Sequence, residues 1–287
     1  MTDSSLVALK KMMLSLSAPL QERLLHFLPQ KMAKSFHSLP PFEDKIILKN
    51  IEYDDLLDFV HYSWFLPTLR IYEKKEMALF LLALSESQKK NLASLLDIKF
   101  SKASLTKNGK DYLRSHLLSS LIGEEREILP FSFLPISALN VLLKFSKKKL
   151  MSLIDFLGLY DLKIELKQIV DPKLLKSIQK CLSKEKLAFL KSIRNGKQAV
   201  PSTKLHLNSW DKEKKSLIAI IHRAGLVRFA KALSKEDENL IWYIIHILDI
   251  GRGATLQKLC EKKEKETIAS FISKQILNVI QKNIQTK

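Results

Sequence analysis

Along most of the chain, apolar residues recur every three or four positions and short polar clusters separate the runs, the pattern of amphipathic helices. One local phrase repeats: an apolar residue, a serine, a few polar residues, then an amphipathic run. It occurs at Leu84-Ser85, Phe145-Ser146, Leu182-Ser183 and Leu233-Ser234. A serine hydroxyl accepts from the free N–H groups of a first helical turn, so each serine is expected to cap a helix. Ser85 with Gln88 and Ser234 with Asp237 have capping-box spacing, and Asp171-Pro172 adds a start with proline at the first helical position. Gly158, Gly196, Gly225 and Gly251 each follow an apolar-periodic segment, where a left-handed C-cap is expected. The pattern predicts an all-α protein of short helices, about 10 to 15 residues each, in small bundles or irregular armadillo-like stacked units. The uneven spacing of the starts argues against a strict-period solenoid.

Three breaks interrupt the periodicity: a polar stretch at 99–110, a segment with two prolines at 123–137, and a stretch without helical period at 196–209. They set the expected pieces: an N-terminal helical domain over 1–125, a middle helical module over 130–196 and a C-terminal basic helical module over 205–287. The first piece carries Glu52-Tyr-Asp-Asp-Leu-Leu-Asp58 followed by Trp64, readable as an acidic partner patch or as a solvated helix face over a buried tryptophan. The second reading is favoured.

Composition sharpens this picture. Seven glycines and nine prolines in 287 residues are too few for a sandwich or barrel, and an apolar fraction of 46% excludes general disorder. The most apolar run, Met77 to Leu84, falls far short of the roughly 18 residues a membrane span needs. The N-terminal lysines follow the first apolar residues, the wrong order for a secretory signal. Cys181 and Cys260 have neither metal nor redox spacing, so a reduced, cytoplasmic setting is expected.

Charge adds an asymmetry. Residues 1–143 hold 18 basic and 16 acidic residues, while 144–287 hold 30 and 14, so a net +16 of the total +18 lies in the second half. Such a half can meet nucleic acid, an anionic membrane surface or an acidic protein. The basic residues are forty lysines against eight arginines, without the Arg forks and interleaved aromatics of base-reading surfaces. A solvated lysine-rich face is therefore favoured over nucleic-acid binding, which stays as the alternative.

The chemically richest stretch is Ile241 to Gly253, IWYIIHILDIGRG. Gly251-Arg-Gly253 could in principle present N–H groups to a phosphate, but a helical segment precedes it and the Walker, Rossmann, zincin and nucleophile-elbow signatures are all absent from the sequence. His222 and His246 sit near the expected ends of apolar helices, where a charged imidazole suits the dipole. Ile220-Ile-His-Arg-Ala-Gly225 echoes Ile244-Ile-His-Ile-Leu-Asp-Ile-Gly251, which suggests a repeated hairpin closed by polar side chains. Asp249 opposes its helix dipole and is expected to pair with Arg252 or the N–H of Gly251. Trp210, Arg223, Arg228, Trp242, His246, Asp249 and Arg252 are thus candidate interaction or helix-end residues. No catalytic, cofactor-binding or metal-binding set is expected, and the protein is not expected to be an enzyme.

The run from Phe145 to Ile193, FSKKKLMSLIDFLGLYDLKIELKQIVDPKLLKSIQKCLSKEKLAFLKSI, resembles the middle and C-terminal helical modules of FliG, the flagellar motor switch protein. In size and style the chain is also similar to the SctK-type accessory proteins of type III secretion systems. The resemblance is one of pattern over about 130–287. It implies an adaptor without enzymatic activity at the cytoplasmic face of an inner-membrane ring, joining it to a cytoplasmic ring or sorting platform, with protein partners and peripheral to the membrane.

Overall fold

A computed structural model describes residues 6, 9–10, 12–13, 16–38, 56–99, 104–123, 128–193 and 203–284. The described residues form helices and turns with no strand, so the fold is all-α. In chain order the α-helices are α1 (Ala18–His26), α2 (Gln30–Ser38), α3 (Leu56–Phe59), α4 (Leu66–Leu69), α5 (Lys74–Ala83), α6 (Glu86–Leu96) and α7 (Lys107–Ile122). There follow α8 (Lys147–Leu166), α9 (Pro172–Cys181), α10 (Lys184–Ser192), α11 (Lys214–Leu233), α12 (Glu238–Ile247), α13 (Ile250–Cys260) and α14 (Glu266–Val279).

The serine caps explain many of the starts. Ser146 accepts from Lys149 N, Ser183 from Lys186 N, and Ser85 with Gln88 forms a full capping box. Asp171 accepts from Lys173 N, with Pro172 opening α9. Ser234 departs from expectation: it is the C-cap of α11, and Asp237 instead caps α12 through Asn239 N. The polar stretch at 99–110 also becomes helical from Lys107, because Thr106 accepts from Gly109 N. Gly196 and Glu52 to Asp55 lie outside the described residues.

The chain divides into two compact units, Met1–Asn140 with Asp237–Ile250, and Val141–Glu236 with Gly251–Lys287. The expected piece 1–125 lies in the first. The other two pieces are each divided: 130–140 and 237–250 fall in unit 1, the remainder in unit 2.

In unit 1, Leu56, Leu57, Phe65, Leu69, Leu81, Leu92 and Leu117 are fully buried. The Gln88 side chain that closes the α6 cap also donates to the carbonyls of Leu57 and Val60 at 2.7 and 2.8 Å, fastening α6 to the end of α3. Arg114 is buried, donating to Ala83 O at 3.1 Å and pairing with Asp58 at 3.3 Å.

Unit 2 is organised by two 20-residue helices, α8 and α11, which pack along each other with α14 against both. Gly158 and Gly225 lie inside these helices and do not terminate them. Their function is close approach: a Cβ on Gly158 would stand 2.0 Å from Ile221 O, and one on Gly225 1.8 Å from Ile154 O. With two glycines facing, the backbones meet where any side chain would hold them apart. The sequence expectation of helices ending at these glycines fails for that reason, and the helices run longer than 10 to 15 residues. Gly251 likewise lies inside α13.

These helices also disclose an internal repeat. Helix α11 begins 67 residues after α8 and has the same length. Helix α12 begins 66 residues after α9, again with the same length, and α13 begins 66 residues after α10. Asp171 and Asp237 are the equivalent N-caps, and Leu182 and Leu248 the equivalent extended C-caps. The chain therefore holds a long-short-short helical unit twice.

Candidate functional site

Helix α12, the core of IWYIIHILDIGRG, is buried on nearly all sides. The His246 ring lies between two indoles, 4.0 Å from Trp242 and 4.4 Å from Trp64 by ring centroids. Its Nδ1 is 2.7 Å from Trp242 O, the geometry of an N–H donated to a carbonyl four residues earlier. Trp64 Nε1 donates to Leu248 O at 2.9 Å, the Tyr243 hydroxyl to Leu129 O at 2.6 Å, and Leu129 N to the Asn239 side chain at 3.0 Å. His61 N donates to His246 O and Ile250 N to Ser63 Oγ. Trp242 and His246 are thus enclosed, while Asp249 is half-buried at the helix end. Asn239, Trp242, Tyr243 and His246 act as a clamp that seats α12 in unit 1.

The other candidates belong to unit 2. Trp210 is buried just before α11, its indole N–H donating to Ser216 Oγ at 2.7 Å and Glu213 O at 3.0 Å. Arg223 is exposed on α11, and Arg252 is half-buried in the first turn of α13. Arg228 is buried. Its guanidinium pairs with Asp161 of α8, donates to Gln275 at 2.9 Å, and lies 5.6 Å from the centroid of the Tyr160 ring. Burial raises Asp161 above the usual carboxylate range and outweighs the pull of Arg228. Burial likewise raises the Tyr160 phenol, against opposing contributions from Asn278 and Arg228.

A second polar group crosses the same helix pair. His222 Nδ1 is 2.7 Å from one Asp155 oxygen and Lys186 Nζ 2.7 Å from the other. Burial alone would raise Asp155, but these two partners outweigh it and hold the carboxyl below its ordinary range. An Asp-His pair could orient a general base. Here, however, His222 Nε2 is buried and has no hydrogen-bond partner among the described residues. His222 also lies inside α11, so the sequence argument that placed it at a helix end does not hold.

The signal for this arrangement was present in the sequence in another form. Asp155-x-x-Gly158-x-x-Asp161 is matched, 67 residues on, by His222-x-x-Gly225-x-x-Arg228. Acids in one copy face bases in the other, with the two glycines between. The echo between Ile220–Gly225 and Ile244–Gly251 compares positions that are not equivalent in the repeat, which hid this match.

The outer surface of unit 2 is its distinctive feature. Counted by unit, unit 1 has 18 basic and 19 acidic residues, net −1, whereas unit 2 has 30 and 11, net +19. Helix α9 exposes Lys173, Lys176 and Lys180 and buries Leu174 and Ile178. Just before it Val170 is 92% exposed, with Lys167 exposed nearby in sequence. Beside this turn lies a shallow groove of about 300 Å³ lined by Ile164, Glu165, Ile169, Lys204 and His206. Its Glu165 carboxylate is occupied by the N–H groups of Leu205 and Leu207 at 2.6 and 2.8 Å.

Among the described residues, no group of three or more His, Cys, Asp or Glu side chains could hold a metal ion, and no helix is long and apolar enough to cross a membrane. Compared with family models, with curated proteins and with solved structures, the chain finds no match.

Proposed function

We propose that this protein is a non-enzymatic docking adaptor whose basic unit binds an acidic protein partner. The observation that carries the reading is the division of charge, net −1 on unit 1 and net +19 on unit 2. Two units of such different charge favour two different partners, with the basic unit drawing an acidic one by complementary potential. The internal use of His246, Arg228 and Asp155 supports the same reading, since the groups best suited to chemistry hold helices together.

The pattern resemblance of Phe145–Ile193 to the helical modules of FliG, and of the chain to SctK-type proteins, gives the adaptor its setting. That setting is the cytoplasmic face of a type III secretion or flagellar-type export apparatus, between an inner-membrane ring and a cytoplasmic ring or sorting platform. The test is co-expression with the inner-ring and sorting-platform proteins, followed by co-purification at about 150 mM salt. Stable association with one or both is expected; no association with either sinks the proposed setting.

The charge on unit 2 also supports a second reading, nucleic-acid binding. That reading requires affinity for duplex DNA or RNA that falls steeply and linearly in log–log form with salt. Retention of nucleic acid at about 150 mM salt, without ring proteins, would put it in place of the adaptor.

A further inference from the structure

We infer that the exposed lysine face of α9 is a docking site for an acidic helical segment of a protein partner. The inference rests on reading the basic unit as a docking unit and names the place and chemistry of the contact. At 100° per residue, Lys173, Lys176 and Lys180 fall within an arc of about 60°, facing away from the buried Leu174 and Ile178.

The internal repeat shows what this face does in the other copy. Sixty-six residues on, the equivalents of Lys173, Lys176 and Lys180 are Asn239, Trp242 and His246 of α12. Those three are buried: Asn239 accepts from Leu129 N, and the Trp242–His246 stack is covered by Trp64. One copy therefore uses this helix face to bind protein within the chain. The other copy carries lysines there and leaves them exposed.

Charge selects the occupant. A face of three lysines calls for carboxylates, and α9, about 15 Å long, matches a helix of a few turns bearing Asp or Glu on one side. Val170, two residues before the helix, is exposed and offers an apolar contact near its N-terminus. Lysine point charges, which lack the planar fork of arginine, are less suited to reading bases. The protein contacts made by the equivalent face of α12 favour a protein segment over a lipid surface.

The test uses the full chain and a fluorescein-labelled, Glu-rich amphipathic helical peptide of about 20 residues, followed by anisotropy at about 100 mM salt. Charge reversal K173E/K176E/K180E is expected to weaken binding about tenfold or more. The same charge change elsewhere in unit 2, K258E/K262E/K263E, should weaken it no more than about twofold, and Val170→Ser about threefold. Circular dichroism and melting temperature establish that each variant is folded, and K173Q/K176Q/K180Q gives a milder second reading in which a loss between these limits is expected.

Equal loss from both charge-reversed triples overturns the inference, as does failure of the wild-type chain to bind the peptide. A stripe dependence seen only with phosphatidylserine vesicles or duplex DNA overturns it too. The two proposals fail separately. If ring proteins do not associate but the peptide contact depends on the stripe, only the setting falls. If ring proteins associate and K173E/K176E/K180E leaves that association unchanged, only the docking face falls.

Discussion

At the scale of single residues, unit 2 encloses two acid–base pairs, Asp155 with His222 and Asp161 with Arg228, each joining the two copies of the repeat. Asp161 is almost fully buried, a state a carboxylate adopts only with a fixed cation beside it. Arg228 supplies that cation and itself gains Gln275 and the Tyr160 ring. Cys260 is another group of unit 2 that burial raises. Desolvation, reinforced by Glu261 and opposed by Lys263, pushes its thiol from 9.0 to about 12. Between those values the unfolded chain ionises the thiol and the folded chain keeps the proton, so stability is intact below pH 9 and falls as pH rises toward 12. One pH unit beyond 9 corresponds to roughly 1.4 kcal/mol. Urea unfolding at pH 8 and pH 10 should therefore show Cys260→Ala losing about 1 kcal/mol less than wild type over that interval. An equal loss in both proteins would show that the thiol does not titrate in this way.

At the scale of elements, helix identity and the starts of four helices were legible in the sequence because caps act locally. Ser146, Ser183, Asp171 and the Ser85–Gln88 box are read from residues within one turn. The ends of α8 and α11 were not, because glycine has two uses that look alike in sequence. It can close a helix in the left-handed conformation, or it can thin a helix where another crosses it. Only the partner helix decides between them, and that partner lies 67 residues away. A simple pair of substitutions separates the two roles. Gly158→Ala puts a methyl against the fixed carbonyl of Ile221, an overpacking that should cost about 3 kcal/mol in chemical denaturation. Gly109→Ala, also within a helix, meets only the Thr106 hydroxyl at 3.2 Å and should stay within about 1 kcal/mol of wild type. Similar costs for both would contradict a tight α8–α11 crossing.

At the scale of the whole molecule, the order of residues in the chain and the grouping of helices in space disagree, and α12 is where they part. The breaks at 123–137 and 196–209 are visible as changes of composition. Nothing in composition shows that a helix between two segments of unit 2 belongs with residues far upstream. The hint was its character: α12 is apolar on nearly every side, as a helix enclosed by neighbours must be. Unit 1 then depends on a distant segment. Without it, Leu129 loses the partners of its N–H and its C=O, Trp64 loses its indole acceptor and its stacking ring, and Phe131 loses Tyr243, whose ring centroid lies 4.1 Å away. Each hydrogen bond is worth about 1 kcal/mol and each large buried side chain about 1.5–3 kcal/mol, so the sum rivals the 5–15 kcal/mol that holds a typical domain folded. A fragment of residues 1–143 should accordingly lack a cooperative thermal transition and show red-shifted Trp64 emission, whereas the full chain melts cooperatively with Trp64 shielded. A sharp transition in the fragment, at the temperature of the intact protein, would mean that unit 1 is complete without α12.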